Sequence, residues 1–207
     1  MRRAPALALA PLALLPLPVA AEPLLELPLR VRVAECAGQP VKPPGWIAAH
    51  VAAANRVLRP HGVRLATRLD RFRPPRCGLT GRDDRHALAR FVDTQEVTVL
   101  VLERVRDLDL TTYDLMGVHW RYEGSDAALA GRRWIFLTAR AEPPVLAHEL
   151  GHYFGLAHDP RGGNLMTPGP SAPIWRRPGR KPLPFAPRFT AAQGRRVRKA
   201  VAALLAR

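Results

Sequence analysis

Residues 148–159 read HELGHYFGLAHD and place three histidines and a glutamate within twelve residues. His148 and His152 are four residues apart, so on an α-helix they lie on one face, one turn above the other. Two imidazole nitrogens can then reach one metal ion, with Glu149 beside them. The spacing therefore predicts a helix that presents a pair of metal ligands and a neighbouring carboxylate.

His158 is the predicted third ligand, although it lies six residues beyond His152. On a helix that simply continued, its side chain would point away from the other two. Gly155 removes this difficulty, because glycine readily takes the left-handed conformation that ends helices and lets the chain turn back. A catalytic zinc site needs three protein ligands and one open position. We therefore predict that His148, His152 and His158 bind one zinc ion and that Glu149 is the general base.

The pattern H-E-x-x-H-x-x-G-x-x-H at residues 148–158 resembles the zinc signature of the metzincin metalloproteases. That family also has a methionine turn beneath the metal, which residues 164–168 (NLMTP) match, with Met166 eight residues after His158. Both this spacing and the proline at position 168 resemble the matrixin branch, the matrix metalloproteases. The resemblance implies one catalytic zinc ion and a protein or peptide substrate that lies extended along an edge strand near residues 117–122.

The resemblance also implies a fold class, an α+β metzincin-like catalytic domain. Its mixed twisted sheet carries an active-site helix and is followed by a small irregular C-terminal subdomain that ends in a helix. The segment where matrixins bind a second zinc ion and calcium has one histidine and few carboxylates here, at residues 117–133. A structural metal is therefore not expected, and a need for calcium is left open.

The remaining polar candidates have weaker signals. Asp159 is followed by Pro160 and is predicted to be either a turn residue or a contact that orients a metal ligand. The other four histidines have no ligand-type spacing and are expected on the surface or in the core: His50, His61, His86 and His119.

Periodicity predicts a mixed sheet with helices packed on it. Alternating or continuous apolar residues predict strands at 29–33, 63–69, 97–102, 117–122 and 134–138. Helices are predicted at 46–58, at 85–92 with an aspartate cap (Asp83 or Asp84), from Pro143-Pro144 through the histidines, and after Thr190, where Gln193 completes a capping box. The proline-rich residues 168–188 predict a stiff, irregular loop.

The first 21 residues differ from the rest of the chain. Two arginines precede an apolar run that ends in small residues, which predicts a secretory signal peptide. A membrane anchor is the weaker interpretation, because the run is short and interrupted by four prolines. We therefore expect an exported protein, extracellular or periplasmic. Residues 22–207 are predicted to form one metalloprotease domain, with an upper subdomain at about 22–155 and a lower one at about 156–207.

Basic residues dominate the charge of the exported chain. Residues 22–207 keep 30 of the 32 lysines and arginines and all 17 aspartates and glutamates, a formal charge of +13. A charge of this size predicts attraction to anionic surfaces. No nucleic-acid-binding motif accompanies it, so no specific nucleic-acid partner is expected. We also expect no membrane span and a monomer.

Cys36 and Cys77 are the only cysteines, and in an exported chain two cysteines predict one disulfide. Residues 75–78 (PRCG) resemble the matrixin propeptide motif whose thiolate caps the zinc ion. The motif here lacks the family's following Pro-Asp, and only 70 residues separate Cys77 from His148. A disulfide is therefore predicted, and no autoinhibitory thiol.

Three functions are compatible with these features. The first is a secreted zinc-dependent endopeptidase. The second is a catalytically silent metzincin-fold protein that binds an anionic cell-envelope surface, and the third is a basic protein with a purely structural zinc ion. The intact catalytic positions favour the first, and the distance of both cysteines from the histidines disfavours the third.

Overall fold

The computed structural model describes residues 23–168 and 184–207. The predicted signal peptide and most of the predicted proline-rich loop lie outside these residues. The strands are β1 (Leu25–Cys36), β2 (Gln39–Pro40), β3 (Val63–Phe72), β4 (Gly78–Leu79), β5 (Val97–Leu102), β6 (Arg104–Val105), β7 (Gly117–Arg121) and β8 (Arg133–Thr138). The helices are α1 (Pro44–Leu58), α2 (Arg82–His86), α3 (Pro144–Tyr153) and α4 (Ala191–Leu205).

Four parallel strands form the body of the main sheet. β1 lies between β3 and β5 and runs parallel to both, and β8 lies parallel to β5 on its other side. β7 pairs antiparallel with β8 and is the last strand on that side of the sheet among the described residues. The predicted mixed sheet with packed helices is confirmed.

Two hydrophobic clusters cover the two faces of this sheet. The first joins α1, α3 and α4 to one face and includes Ile47, Leu150 and Val197. The second covers the opposite face with residues between β4 and β5, such as Leu88 and Val92. Every residue of β5 is buried, as expected for an apolar strand covered on both sides. The sheet therefore provides a rigid base for α3.

The prediction of one helix at residues 85–92 with an aspartate cap is wrong. α2 begins earlier, at Arg82, and a separate 3-10 turn follows at Ala89–Phe91. Gly81 occupies the N-cap position and makes no side-chain capping hydrogen bond. The Asp84 carboxylate instead accepts hydrogen bonds from the backbone N–H and the hydroxyl of Thr80, both at 2.9 Å, and so closes the turn before the helix.

A disulfide joins Cys36, at the end of β1, to Cys77, in the segment after β3. Their Cα atoms are 6.0 Å apart, and they are separated by 41 positions in the sequence. Neither thiol is free. The link closes a long loop that contains α1 and β3.

No helix within residues 23–168 and 184–207 combines the length and the hydropathy needed to cross a membrane.

Candidate metal centre

α3 presents His148 and His152 on one face and then ends where the sequence predicts. The helix ends at Tyr153, and Gly155 has a φ angle of 84°. The amide of Leu156 donates to the carbonyl of Gly151 at 2.9 Å, which closes the last turn. This left-handed turn reverses the chain direction and brings His158 back to the two helical histidines.

The three imidazoles converge through their Nε2 atoms. Nε2 of His152 lies 3.0 Å from Nε2 of His148 and 3.2 Å from Nε2 of His158. The three ligand atoms all lie within 4.8 Å of one another. Since the described residues of the chain hold one such group of histidine, cysteine and carboxylate ligand atoms, this cluster is the candidate metal centre.

Backbone carbonyls orient two of the rings. Nδ1 of His148 lies 2.7 Å from the carbonyl oxygen of Leu165, and Nδ1 of His152 lies 2.8 Å from that of Leu156. A carbonyl only accepts hydrogen bonds, so each Nδ1 carries the proton and each Nε2 presents a lone pair. Two lone pairs at 3.0 Å repel each other unless a cation lies between them.

A zinc ion fits this set of donors. Neutral imidazole is a preferred zinc ligand, and two nitrogens of a tetrahedral site with Zn–N distances of about 2.0–2.1 Å are roughly 3.3 Å apart. The observed separations of 3.0 and 3.2 Å are close to that value. Burial lowers the pKa of all three histidines, that of His152 to about 4, so they are neutral at pH 7 and able to bind a metal.

Glu149 points from α3 towards the edge strand β7. Its side chain is 6 % exposed, and its Oε2 accepts a hydrogen bond of 2.8 Å from the backbone N–H of His119. Burial raises the pKa of Glu149 to about 8, and the hydrogen bond from His119 opposes that rise. A cation bound to the adjacent histidines would lower this pKa, because opposite charge favours the carboxylate.

Gly117 makes room for Glu149 under β7. A Cβ atom at this position would lie 2.6 Å from Cγ1 of Val145 and 2.9 Å from Cγ of Glu149. Real Cβ atoms do not approach so closely, so any other residue here would push the glutamate away from the strand.

The methionine turn lies directly beneath α3. Met166 is fully buried, and a Cβ atom at Gly151 would lie only 2.5 Å from its sulfur. Asp159, also buried, bonds through its carboxylate to Arg161 and to the side-chain amide of Asn164 at 3.0 Å. Among the described residues its carboxylate has no histidine partner, so the carboxylate reaches the methionine turn through Asn164.

Four contributors to this site were not predicted from the sequence. Gly117 and the backbone amide of His119 position Glu149. The side chains of Asn164, in the methionine turn, and Gln193, in α4, hydrogen-bond to each other at 3.1 Å. A backbone donor has no sequence signature. The only signal for Gln193 was its capping box, which the structure confirms.

The fold is similar to that of two bacterial metalloproteinases. The chain matches mirolysin in complex with compound 9 at a TM-score of 0.59 and 13 % identity, over 89 % of this chain and 96 % of that one. It matches metalloproteinase-II from Bacteroides fragilis at a TM-score of 0.53 and 14 % identity, over 87 % of this chain and 55 % of that one.

These proteins are metzincin-type metalloproteases. The chain has a metzincin-type fold. A third match, mature Tannerella forsythia mirolysin in complex with a cleaved peptide, has a TM-score of 0.49 and 12 % identity, over 66 % of this chain and 65 % of that one. The chain thus spans less than two thirds of the length of this structure and of metalloproteinase-II. Neither the protein-family models nor the curated proteins gave a match.

Proposed function

We propose that this chain is an exported zinc-dependent endopeptidase. The convergence of the Nε2 atoms of His148 and His158 on that of His152, at 3.0 and 3.2 Å, is the observation that carries the proposal. A protein without a bound cation would gain nothing from this repulsive arrangement. The metzincin-type fold and the similarity to metalloproteinases support the same activity.

His148, His152 and His158 would hold the metal. A zinc ion in such a site supplies Lewis acidity, which acidifies water and polarises a carbonyl. Glu149 then takes the proton of the attacking water on a carboxylate oxygen and gives it to the amine leaving group. The buried position of Glu149 keeps its carboxylate aligned, because Gly117 admits the side chain and the amide of His119 anchors it.

A peptide substrate would bind along β7. The backbone N–H of Tyr122 donates to the carbonyl of Arg132, and the backbone N–H of Thr138 donates to the carbonyl of Met116. These backbone groups, at the two ends of β7, therefore lie on the side of the strand that faces β8. The amide of His119 points the other way, to Glu149. An extended peptide could add to this side through the backbone groups that Glu149 does not occupy, as in other edge-strand complexes.

The proposed domain is residues 22–207 after removal of a signal peptide at 1–21. His148 and His152 belong to the upper part (about 22–155), whereas His158 and Met166 belong to the lower part (about 156–207). Export is supported by the disulfide, which is typical of oxidising compartments. We propose that the domain acts as a monomer.

The substitution Glu149→Gln tests the proposed chemistry. Glutamine keeps an oxygen that can accept the His119 amide, but it cannot take a proton. We expect one bound zinc ion per chain, as in the wild type, and a fall in casein or gelatin hydrolysis of roughly 10²–10⁴-fold. Metal content is measured by atomic absorption, and the wild-type activity should be abolished by a hydroxamate.

Glu142→Gln is the matched control. Glu142 is exposed and lies just before α3, so the same change in charge should leave activity unaltered. Full activity in Glu149→Gln would contradict the general-base role. A wild-type chain that binds zinc but cleaves no peptide would favour the silent binding protein instead.

A further inference from the structure

Both ends of the Gln193 side-chain amide are engaged, and only one of them caps α4. Oε1 accepts the backbone N–H of Thr190 at 2.9 Å, which is one arm of the capping box. Nε2 donates to Oδ1 of Asn164 at 3.1 Å, 29 positions away in the sequence. The capping box explains the first bond and leaves the second without a role in the helix.

The side-chain amide of Asn164 has its full set of four hydrogen bonds. The residue is 2 % exposed, and its Nδ2 donates to Asp159 and to the carbonyl of Gly162, both at 3.0 Å. Its Oδ1 accepts from the backbone N–H of Met166 at 2.9 Å and from Gln193. An amide saturated in this way has one orientation, which fixes the backbone at residues 164–166.

Two carbonyls of this turn contact the metal-binding segments, one at His148 and one at the residue after His158. The Leu165 carbonyl accepts from Nδ1 of His148 at 2.7 Å. The Met166 carbonyl accepts from the amide of Asp159, the residue after His158, at 2.8 Å. A change in the tilt of the turn therefore rotates one ligand ring and shifts the backbone beside another.

We propose that Gln193 is a positioning residue for the metal centre, acting through Asn164 and the methionine turn on His148 and on the segment of His158. The inference rests on the proposed zinc site. Outer contacts of this kind set the orientation of metal-binding histidines, and their loss typically weakens metal binding by about 10–100-fold. The first turn of α4 is thus part of the zinc site, although no residue of α4 binds the metal.

The substitution Gln193→Glu separates the two roles of this residue. Glutamate is as good as glutamine at this position of a capping box, so α4 stays capped. Its second carboxylate oxygen faces Oδ1 of Asn164, where a donor was, and the two oxygens repel. We expect unchanged helix content and a zinc affinity about 10-fold lower, measured by competition with a chromophoric chelator. The visible spectrum of the cobalt-substituted protein should shift, because the His148 ring turns.

Thr190→Ala is the matched control, because it weakens the cap and leaves the bond between Gln193 and Asn164. It should lower Tm by about 2–4 °C with wild-type zinc affinity and cobalt spectrum. Wild-type values of both in Gln193→Glu would overturn the proposal, as would equal losses of zinc affinity in the two variants. A wild-type chain that binds neither zinc nor cobalt would overturn the proposed function as well, and that failure is visible before any variant is compared.

Discussion

Gly151 lies in the last turn of α3, and glycine is an unfavourable residue within a helix. Its place is explained by the methionine beneath it, since a Cβ atom would meet the Met166 sulfur at 2.5 Å and the Phe189 ring at 3.2 Å. Helix propensity alone would favour alanine by up to about 1 kcal/mol. Overpacking of a buried site costs about 1–3 kcal/mol, which matches or exceeds that gain. The contact with Met166 therefore makes alanine the less stable residue at this position.

We therefore expect Gly151→Ala to lower the free energy of unfolding by up to about 2 kcal/mol, the overpacking cost less the gain in propensity. Zinc affinity should fall with it, because Met166 cannot move without the turn that holds His148. Urea unfolding and a chelator competition measure the two effects. Gly45→Ala in α1 is the control: a Cβ atom there meets nothing within 4 Å, so stability should not fall. A more stable Gly151→Ala variant would contradict this account of the packing.

At the residue scale, the sequence predicts those parts of the site that depend on local spacing. His148, His152 and the break at Gly155 follow from helix geometry, which needs only neighbouring residues. The bond between Asn164 and Gln193 depends on where α4 packs, and the anchor on Glu149 is a backbone amide from β7. Neither can be recognised in a single sequence, because the pairing is created by tertiary structure.

Among the elements, β1 is restrained at its end by the disulfide. Cys36 and Cys77 enclose α1 and β3, and closing a loop of this size restricts the unfolded chain. The double variant Cys36→Ala/Cys77→Ala should lower the free energy of unfolding by roughly 3–4 kcal/mol. β1 is separated from β7 by β5 and β8, so the zinc content should remain one ion per chain.

Alkylation and mass measurement before and after reduction provide the check on the pairing itself. Without reductant neither cysteine should take up the label. If Cys77 is labelled in the unreduced protein and activity then rises, the thiol caps the zinc ion and the disulfide assignment is wrong.

α1 is connected to the start of α3 by a buried histidine. His50 is 1 % exposed; its Nδ1 lies 2.9 Å from the carbonyl oxygen of Trp46 and its Nε2 lies 3.2 Å from that of Ala141. Burial lowers the pKa of His50, and the backbone contacts only partly offset this. As the pH falls, His50 therefore takes up a proton near pH 6.5 in the unfolded chain and only at a lower pH in the folded chain.

The stability that His50 contributes is accordingly complete above about pH 6.5 and is lost as the pH falls below that value. We expect His50→Gln to flatten the decline in unfolding free energy between pH 7 and 5, because glutamine is neutral throughout. Both proteins are compared in EDTA, so that metal binding does not contribute. Parallel pH profiles for the two would show that His50 is not the group responsible.

The elements that periodicity predicts are those long enough to show a period. The continuous apolar run of β5 and the alternation in β1 are examples, and the structure extends β1 to Leu25–Cys36. β2, β4 and β6 have two residues each and no pattern to detect. α2 was misplaced because the side chain of Asp84 closes the preceding turn and leaves the N-cap position to Gly81.

The molecule as a whole carries a large positive net charge, formally +15 at pH 7. Some arginines pair across the sheet, as Arg30 does with Asp70 at 2.5 Å and Arg68 does with Glu96. The carboxylates are too few to neutralise the rest, since the chain has 32 lysines and arginines against 17 acidic residues. α4 alone exposes Arg195, Arg196 and Lys199. We therefore expect the protein to bind anionic polymers and vesicles of anionic lipid through charge rather than through a shaped site.

Attraction of this kind must weaken steeply with salt, because the screening length falls from about 10 Å at 0.1 M to about 3 Å at 1 M. The triple variant Arg195→Gln/Arg196→Gln/Lys199→Gln should elute from a sulfated resin at lower salt than the wild type. The control Ala202→Gln/Ala203→Gln adds glutamines to the same exposed helix without changing the charge, and it should elute with the wild type. Cleavage of a small neutral peptide should be equal in all three proteins, because these side chains lie on α4 and are not among the residues proposed to bind zinc or substrate. Elution of the triple variant at the wild-type salt concentration would mean that the charge of α4 does not hold the protein at such a surface.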